Sequence, residues 1–284
     1  MVLRKINKKI SSKAIMKKFI VIILLLLSTK VTLADWPLYK RTILIPSYSY
    51  FTSSKYFDST GRKLSLGSGN RFVSNGLNIY LGHGLTRRID FVMNLPFLSI
   101  NSDYGGNKET KSGFGDIQAG FSFHFPLHHK TRFITAKASL IIPTYQNNTD
   151  LHLGYGSKGF QLGLNYSFVP LKHTFLVTEA YFTRYFDRST GPNQFGLTVN
   201  AGKMFLDYNY LNVIVTTVVS RSSDKSFNTS INAIKDFEFG KVILSYGRRI
   251  SRRATPYIQG FYTFFGRNAG VGLGGNIIVI FKLP

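Results

Sequence analysis

The chain has 284 residues, enough for one large β domain or two small domains. Apolar residues make up 44%, aromatics 15% and charged residues only 17%, fewer charges than a soluble globular domain carries. The absence of cysteine excludes a disulfide framework, Cys-ligated zinc, iron–sulfur clusters and thiol catalysis, and the formal charge of +23 suggests an anionic partner.

Residues 1–34 read as an export signal rather than as fold. Met16-Lys17-Lys18 is a basic start, and Phe19 to Leu27 is an unbroken apolar core. Ser28 to Ala34 is a polar stretch ending Thr32-Leu33-Ala34, with small residues three and one before a cut. The apolar core is about half of the ~20 residues a helix needs to cross a bilayer. Cleavage is expected after Ala34, with residues 35–284 as one mature domain. Eight of the 36 basic residues lie in the signal, so the mature charge is +15. Those charges are dispersed, and no nucleic-acid-binding signature is present, so nucleic acid is not expected as a partner.

The mature sequence alternates with period two. In 115–125, Ile117, Ala119, Phe121, Phe123 and Phe125 share one face and Asp116, Gln118, Gly120, Ser122 and His124 the other. The pattern repeats in 132–142, in 160–168 and in 194–202. The face opposite the apolar row carries Gly, Ser, Thr, Asn and Gln with few charges. A solvated exterior usually carries more Lys and Glu, whereas a wet, narrow interior tolerates small polar groups. The apolar rows are therefore expected to face lipid and the polar rows a lumen.

Turn signals give twelve strands, at 41–53, 70–82, 86–100, 112–125, 131–145, 157–169, 173–186, 192–206, 209–221, 237–250, 255–266 and 270–282. Short and long connections alternate, as in barrels with tight periplasmic turns and larger outside loops. An even strand count requires 237–250 to be one strand. Its apolar phase slips between Phe237/Phe239 and Val242/Leu244/Tyr246, which predicts a bulge at Gly240. The last three residues read as a short overhang. No later stretch approaches ~18 consecutive apolar residues, so the fold class is all-β, a transmembrane antiparallel up-and-down barrel. At this strand number the lumen is a narrow pore, a plugged tube or a packed polar interior.

Gly113-Phe114-Gly115-Asp116, followed by Gly120, resembles the Gly-x-Gly-Asp strand of the transporter-like outer-membrane family labelled "meta-pathway of phenol degradation". Phe57-Asp58-Ser59-Thr60-Gly61, Gly84-Leu85-Thr86-Arg87 with Leu95-Pro96, and Leu140-Ile141-Ile142-Pro143-Thr144 follow the family's order. The resemblance implies a bacterial outer-membrane barrel that passes aromatic or other hydrophobic small molecules, without catalytic residues. The chain departs from the family at Tyr145, where many members have Gly, and at its end, Phe281-Lys282-Leu283-Pro284.

Chemistry of other kinds is thin. The Gly-rich segments Gly67-Ser68-Gly69 and Gly154-Tyr155-Gly156 lack the Lys-Ser/Thr of a phosphate loop. No zinc spacing is present, and His128-His129 falls in an expected tight turn. No enzyme, metal or cofactor is expected, although a rim hydrolase assembled in space has no signature a sequence would reveal. The lumen candidates are Asp90, Asn94, Asp116, Gln118, His124, Lys137, Asn165, Glu179, Asn200 and Gln259, with His124 within reach of Asp116 or Asp90. They either set the selectivity of a pore or form a network that holds the barrel's shape. The expected partners are outer-membrane lipid, the outer-membrane assembly machinery, a small-molecule solute, and lipopolysaccharide against Lys108, Lys111 and Arg221. A non-transporting surface or adhesion protein is the alternative function.

Overall fold

The computed structural model describes residues 37–104, 107–127, 132–145, 151–186, 191–225 and 234–284. The signal peptide with its cut and the His128-His129 turn lie outside the described residues. Every regular element among the described residues is a strand: β1 (Thr42–Phe57), β2 (Lys63–Ser65), β3 (Arg71–Gly84), β4 (Ile89–Tyr104), β5 (Asn107–Phe114), β6 (Ile117–Pro126), β7 (Arg132–Ile142), β8 (Gly159–Phe168), β9 (Thr174–Tyr185), β10 (Asn193–Phe205), β11 (Asn209–Arg221), β12 (Phe237–Arg248), β13 (Ala254–Arg267) and β14 (Ala269–Leu283).

Leaving aside β2 and β5, neighbours in sequence pair antiparallel, and β14 pairs back onto β1 from Thr42↔Leu283 to Phe57↔Ala269. The sheet is therefore closed, which removes its edges. Two elements reconcile fourteen strands with twelve barrel positions. The short β2 only extends the outer end of β1. β5 and β6 are two halves of one barrel strand, both paired with β4. Between Phe97↔Phe114 and Asn94↔Gln118 the β5/β6 side has one extra residue, opposite Leu95-Pro96. Proline has no N–H for the ladder, and the Pro96 carbonyl instead accepts from Gly115 N–H at 2.8 Å. The strand expected at 112–125 is thus broken at Gly115-Asp116. It also starts earlier, because much of the polar connection expected at 101–111 is the outer hairpin of β4 and β5.

The apolar rows point outward. Phe121, Phe123, Phe125, Leu140, Leu162, Leu164, Phe195 and Leu197 are exposed, while Ser122, His124, Thr135, Asn165, Ser167 and Thr183 between them are buried. In water that distribution would be unfavourable by ~1.5–3 kcal/mol for each large side chain, so the outer face is built for hydrocarbon. Cross-strand aromatic pairs run along it, with Phe97–Phe114 at 5.4 Å and Phe182–Phe195 at 5.0 Å, the pairing that stabilises adjacent strands.

The structure corrects two local expectations. The bulge is not on the strand that contains Gly240: β12 pairs with β11 without a slip. The irregularity lies between β12 and β13, where Gly240↔Phe265 is followed by Lys241↔Thr263, so the extra residue is Phe264. Phe237 and Phe239 share the inward row with buried Ser220 and Val218 opposite them, which accounts for their different phase. The overhang is also shorter than expected, since Lys282 and Leu283 pair with Ile43 and Thr42, leaving Pro284 alone beyond the strand.

Candidate functional site

The inward rows enclose a lumen with two unlike halves. The half near the short connections holds a cavity of about 1220 Å³. Seven of the ten lumen candidates line it: Asp90, His124, Lys137, Asn165, Glu179, Asn200 and Gln259. Period two puts them there, each strand contributing alternate side chains to the same enclosed face.

Their polar groups are joined in short chains. His124 Nε2 meets Asp90 Oδ2 at 2.8 Å and His124 Nδ1 meets Thr135 Oγ1 at 2.9 Å, all three residues buried. The two Asp90 oxygens also accept from Leu38 N–H, each at 3.2 Å, which ties the segment before β1 across the mouth. His124 thus meets Asp90 and not Asp116. Lys137 Nζ lies 3.3 Å from Glu179 Oε1. Gln259 donates to Ser245 Oγ and accepts from Asn276 Nδ2. The Oδ1 atoms of Asn200 and Asn212 are buried without a protein partner and their residues line the cavity, an arrangement suited to a wet interior.

Gln118, Asn94 and Asp116 sit higher. Gln118 donates to Ser139 Oγ and to Gln161 Oε1, both at 2.7 Å, and Gln161 passes the chain to Thr183 at 2.9 Å. Asn94 is on the same inward row, level with Gln118 and Tyr80. Asp116 belongs to a different assembly.

In the outer half, connections fold into the barrel. Leu151 and Leu153 of the β7–β8 connection are buried against Phe72 and Ile100, with Phe51, Leu98 and Tyr145 around them. Phe51 stacks on Phe261 at 6.2 Å, and Lys241 Nζ stands 4.7 Å from the Phe261 ring centroid, a cation–π geometry. Tyr155 Oη donates to the Ile234 carbonyl at 3.1 Å and accepts from Gln194 at 2.9 Å. Asp236 takes Arg267 at 3.1 and 3.2 Å.

The family-type motif is the socket for this plug. A side chain at Gly113 would meet Leu153 at 3.0 Å, and one at Gly115 would meet Pro96 at 3.3 Å. Thr144, next to Pro143, donates to the Gly115 carbonyl at 2.8 Å. Tyr145, the point of departure from the family pattern, donates to Asp116 Oδ1 at 2.8 Å and accepts from Gly156 N–H at 3.0 Å. Burial, followed by the charge of Asp116, pushes the Tyr145 phenol well above its ordinary value, so it stays a donor. Gly120 has no room for a side chain against Ala138 and Ser139.

Sequence reasoning missed the cations at the mouth. Arg41, Arg249, Arg252, Arg253 and Lys282 all line the cavity. Their signal was present as basic doublets, Lys40-Arg41 just before β1 and Arg248-Arg249 and Arg252-Arg253 around the β12–β13 connection. An apolar sector was missed too: Ile43, Ile45, Ile278 and Ile280 line the same cavity. At the outer end, Arg221 faces Glu238 at 2.8 Å and Lys108 faces Asp103 at 3.8 Å, so these two charges are already paired within the chain.

The chain is similar in structure to an outer-membrane channel from Pseudomonas putida F1, with TM-score 0.74 and 16% identity, covering 89% of this chain and 100% of that one. The fold is that of an outer-membrane barrel. The NanC porin is also similar, with TM-score 0.52 and 11% identity over 84% of this chain and 100% of the porin. So is the translocator domain of the autotransporter NalP from Neisseria meningitidis, with TM-score 0.50 and 8% identity over 95% of each chain. No family model matches the chain, and no curated protein matches it.

Proposed function

We propose that the protein is a bacterial outer-membrane channel that passes small molecules by diffusion, after export through a signal peptide cleaved behind Ala34. The observation that carries this reading is the cavity of about 1220 Å³ inside a closed barrel whose outer face is apolar. The similarity in fold to an outer-membrane channel supports it. Transport of aromatic or hydrophobic solutes, the role implied by the family resemblance, fits the aromatic layer of Phe51, Phe72 and Phe261 above the cavity. The outer-membrane assembly machinery and lipopolysaccharide are partners of the same proposal.

The test is conductance of the refolded protein in planar bilayers, with solute uptake by liposomes as the second measurement. Discrete conductance steps and solute-dependent swelling are expected. A folded protein that shows neither, while its deletion alters adhesion alone, is a surface protein instead. A barrel-embedded hydrolase has one specific observation in its favour, the Asp90–His124–Thr135 chain, whose connectivity is that of an acid, a base and a nucleophile. Thr135 lies on the cavity wall but is only 1% exposed, which leaves little room for a substrate carbonyl at its hydroxyl. The chain reads better as a brace of the lumen wall.

A further inference from the structure

The charge of the lumen is lopsided. Six cationic side chains and only two side-chain carboxylates, Asp90 and Glu179, line the cavity, with Pro284 also on its wall. Both carboxylates are engaged. Glu179 faces Lys137, and Asp90 faces His124 and the Leu38 N–H. The other five cations, Arg41, Arg249, Arg252, Arg253 and Lys282, have no carboxylate partner among the described residues. Among the described residues, the Arg249 side chain reaches the backbone carbonyl of Asp207 and the Tyr208 ring. Arg41 and Arg249 lie close enough to Lys282 for their charges to act on it.

Like charges gathered at one mouth repel one another, and a surrounding wall that faces lipid weakens the screening. Such a cluster is relieved by an anion, and Arg forks match carboxylate oxygens two at a time. The wall above the cluster is apolar. On the inward row of β14, Lys282 is followed by Ile280 and Ile278, and Ile43 pairs with Lys282 across the seam. A charge-binding rim thus leads into a greasy sector.

We propose that the short-connection half of the lumen is a binding vestibule for small organic anions with an apolar body. The carboxylate sits among Arg249, Arg253 and Lys282, and the body lies against Ile43, Ile278 and Ile280. Lys241, whose ammonium stands over the Phe261 ring, is a further cation in the lumen beyond the mouth cluster. The inference deepens the channel reading and rests on it for conduction, but binding at the vestibule is measurable without conduction.

Two measurements test it. In planar bilayers under a KCl gradient, the reversal potential should report a chloride preference of about tenfold. The triple variant Arg249→Gln, Arg253→Gln, Lys282→Gln should bring the preference near unity, whereas Arg249→Lys and Arg253→Lys should keep it. In detergent, saturation-transfer NMR with benzoate should show saturable binding, with acetate roughly tenfold weaker for lack of an apolar body and benzylammonium not binding. Each variant is first checked for folding by heat-modifiable migration. A cation preference, an anion preference unmoved by the triple variant, or benzylammonium binding as well as benzoate does overturns the vestibule and leaves the channel standing. Absence of conductance with intact benzoate binding overturns the channel reading and leaves the vestibule.

Discussion

Tyr145→Phe removes one oxygen and isolates how the plug is held. The phenol bridges two elements, donating to Asp116 at the β5/β6 break and accepting from Gly156 N–H in the same inward connection. The ring itself is retained, so the packing against Leu151 and Leu153 is unchanged. A hydrogen bond to a carboxylate contributes ~1.5–3 kcal/mol, and the Gly156 bond is worth about 1 kcal/mol more. Allowing for water that replaces part of this in an opened state, a net ~1–2 kcal/mol shifts the plugged-to-unplugged ratio by about five- to thirty-fold. Single-channel recording reads the effect as more frequent or longer open intervals at an unchanged unit conductance. Heat-modifiable migration should not change, because the strands are untouched. If open probability in Tyr145→Phe equals that of the parent, the bridge does not hold the plug and the outer half is locked by other contacts.

Four other outcomes follow from local geometry. Leu162 is 51% exposed on the outer face, and Leu162→Arg should cost ~2–4 kcal/mol near the bilayer midplane, read as a lower midpoint in urea unfolding from lipid vesicles. His124→Ala leaves Asp90 and Thr135 buried without their shared partner, at a cost of about 1–3 kcal/mol; a variant as stable as the parent in the same assay would remove the brace from the account. Leu206 has φ 48° and is 78% exposed in the tight β10–β11 turn, so Leu206→Asn should stabilise the barrel by about 1 kcal/mol, and a loss of stability would refute the strain. The Asp58 carboxyl is held well below the usual range, first by the Thr60 hydroxyl and also by bonds from Arg62. Its contribution to the 58–62 turn is full above roughly pH 4, the unfolded value, and fades as pH falls below that. Amide exchange in the turn should speed up only in that acid range.

Legibility in the sequence followed the period of the signal. Period-two rows such as Phe121/Phe123/Phe125 opposite Ser122 and His124 needed no tertiary information, because a strand alternates faces by geometry. The pairing of Lys137 with Glu179 was less visible, since it depends on the register of β7, β8 and β9 together. The break at Gly115-Asp116 was hidden because its cause lies on the neighbouring strand, in Pro96. The bulge at Phe264 was hidden for the same reason, with the irregularity inferred from β12 and built into β13. The inward plug was the hardest to foresee. Leu151 and Leu153 lie in a connection of polar appearance, and only the enclosed face of Phe72 and Ile100 gives them a place to bury. The basic doublets before β1 and around the β12–β13 connection are plain in sequence but read as dispersed charge, because their convergence needs the β1–β14 seam.

The seam between the first and last strands has a consequence for how the molecule is made. Thr42 and Leu283 are register partners across the seam, so the first and last strands must meet before the ring exists. Until then both flanks of the ribbon are sticky templates for foreign strands, and long-range pairing of this kind is slow. Closing the seam is therefore the step that removes both raw edges at once.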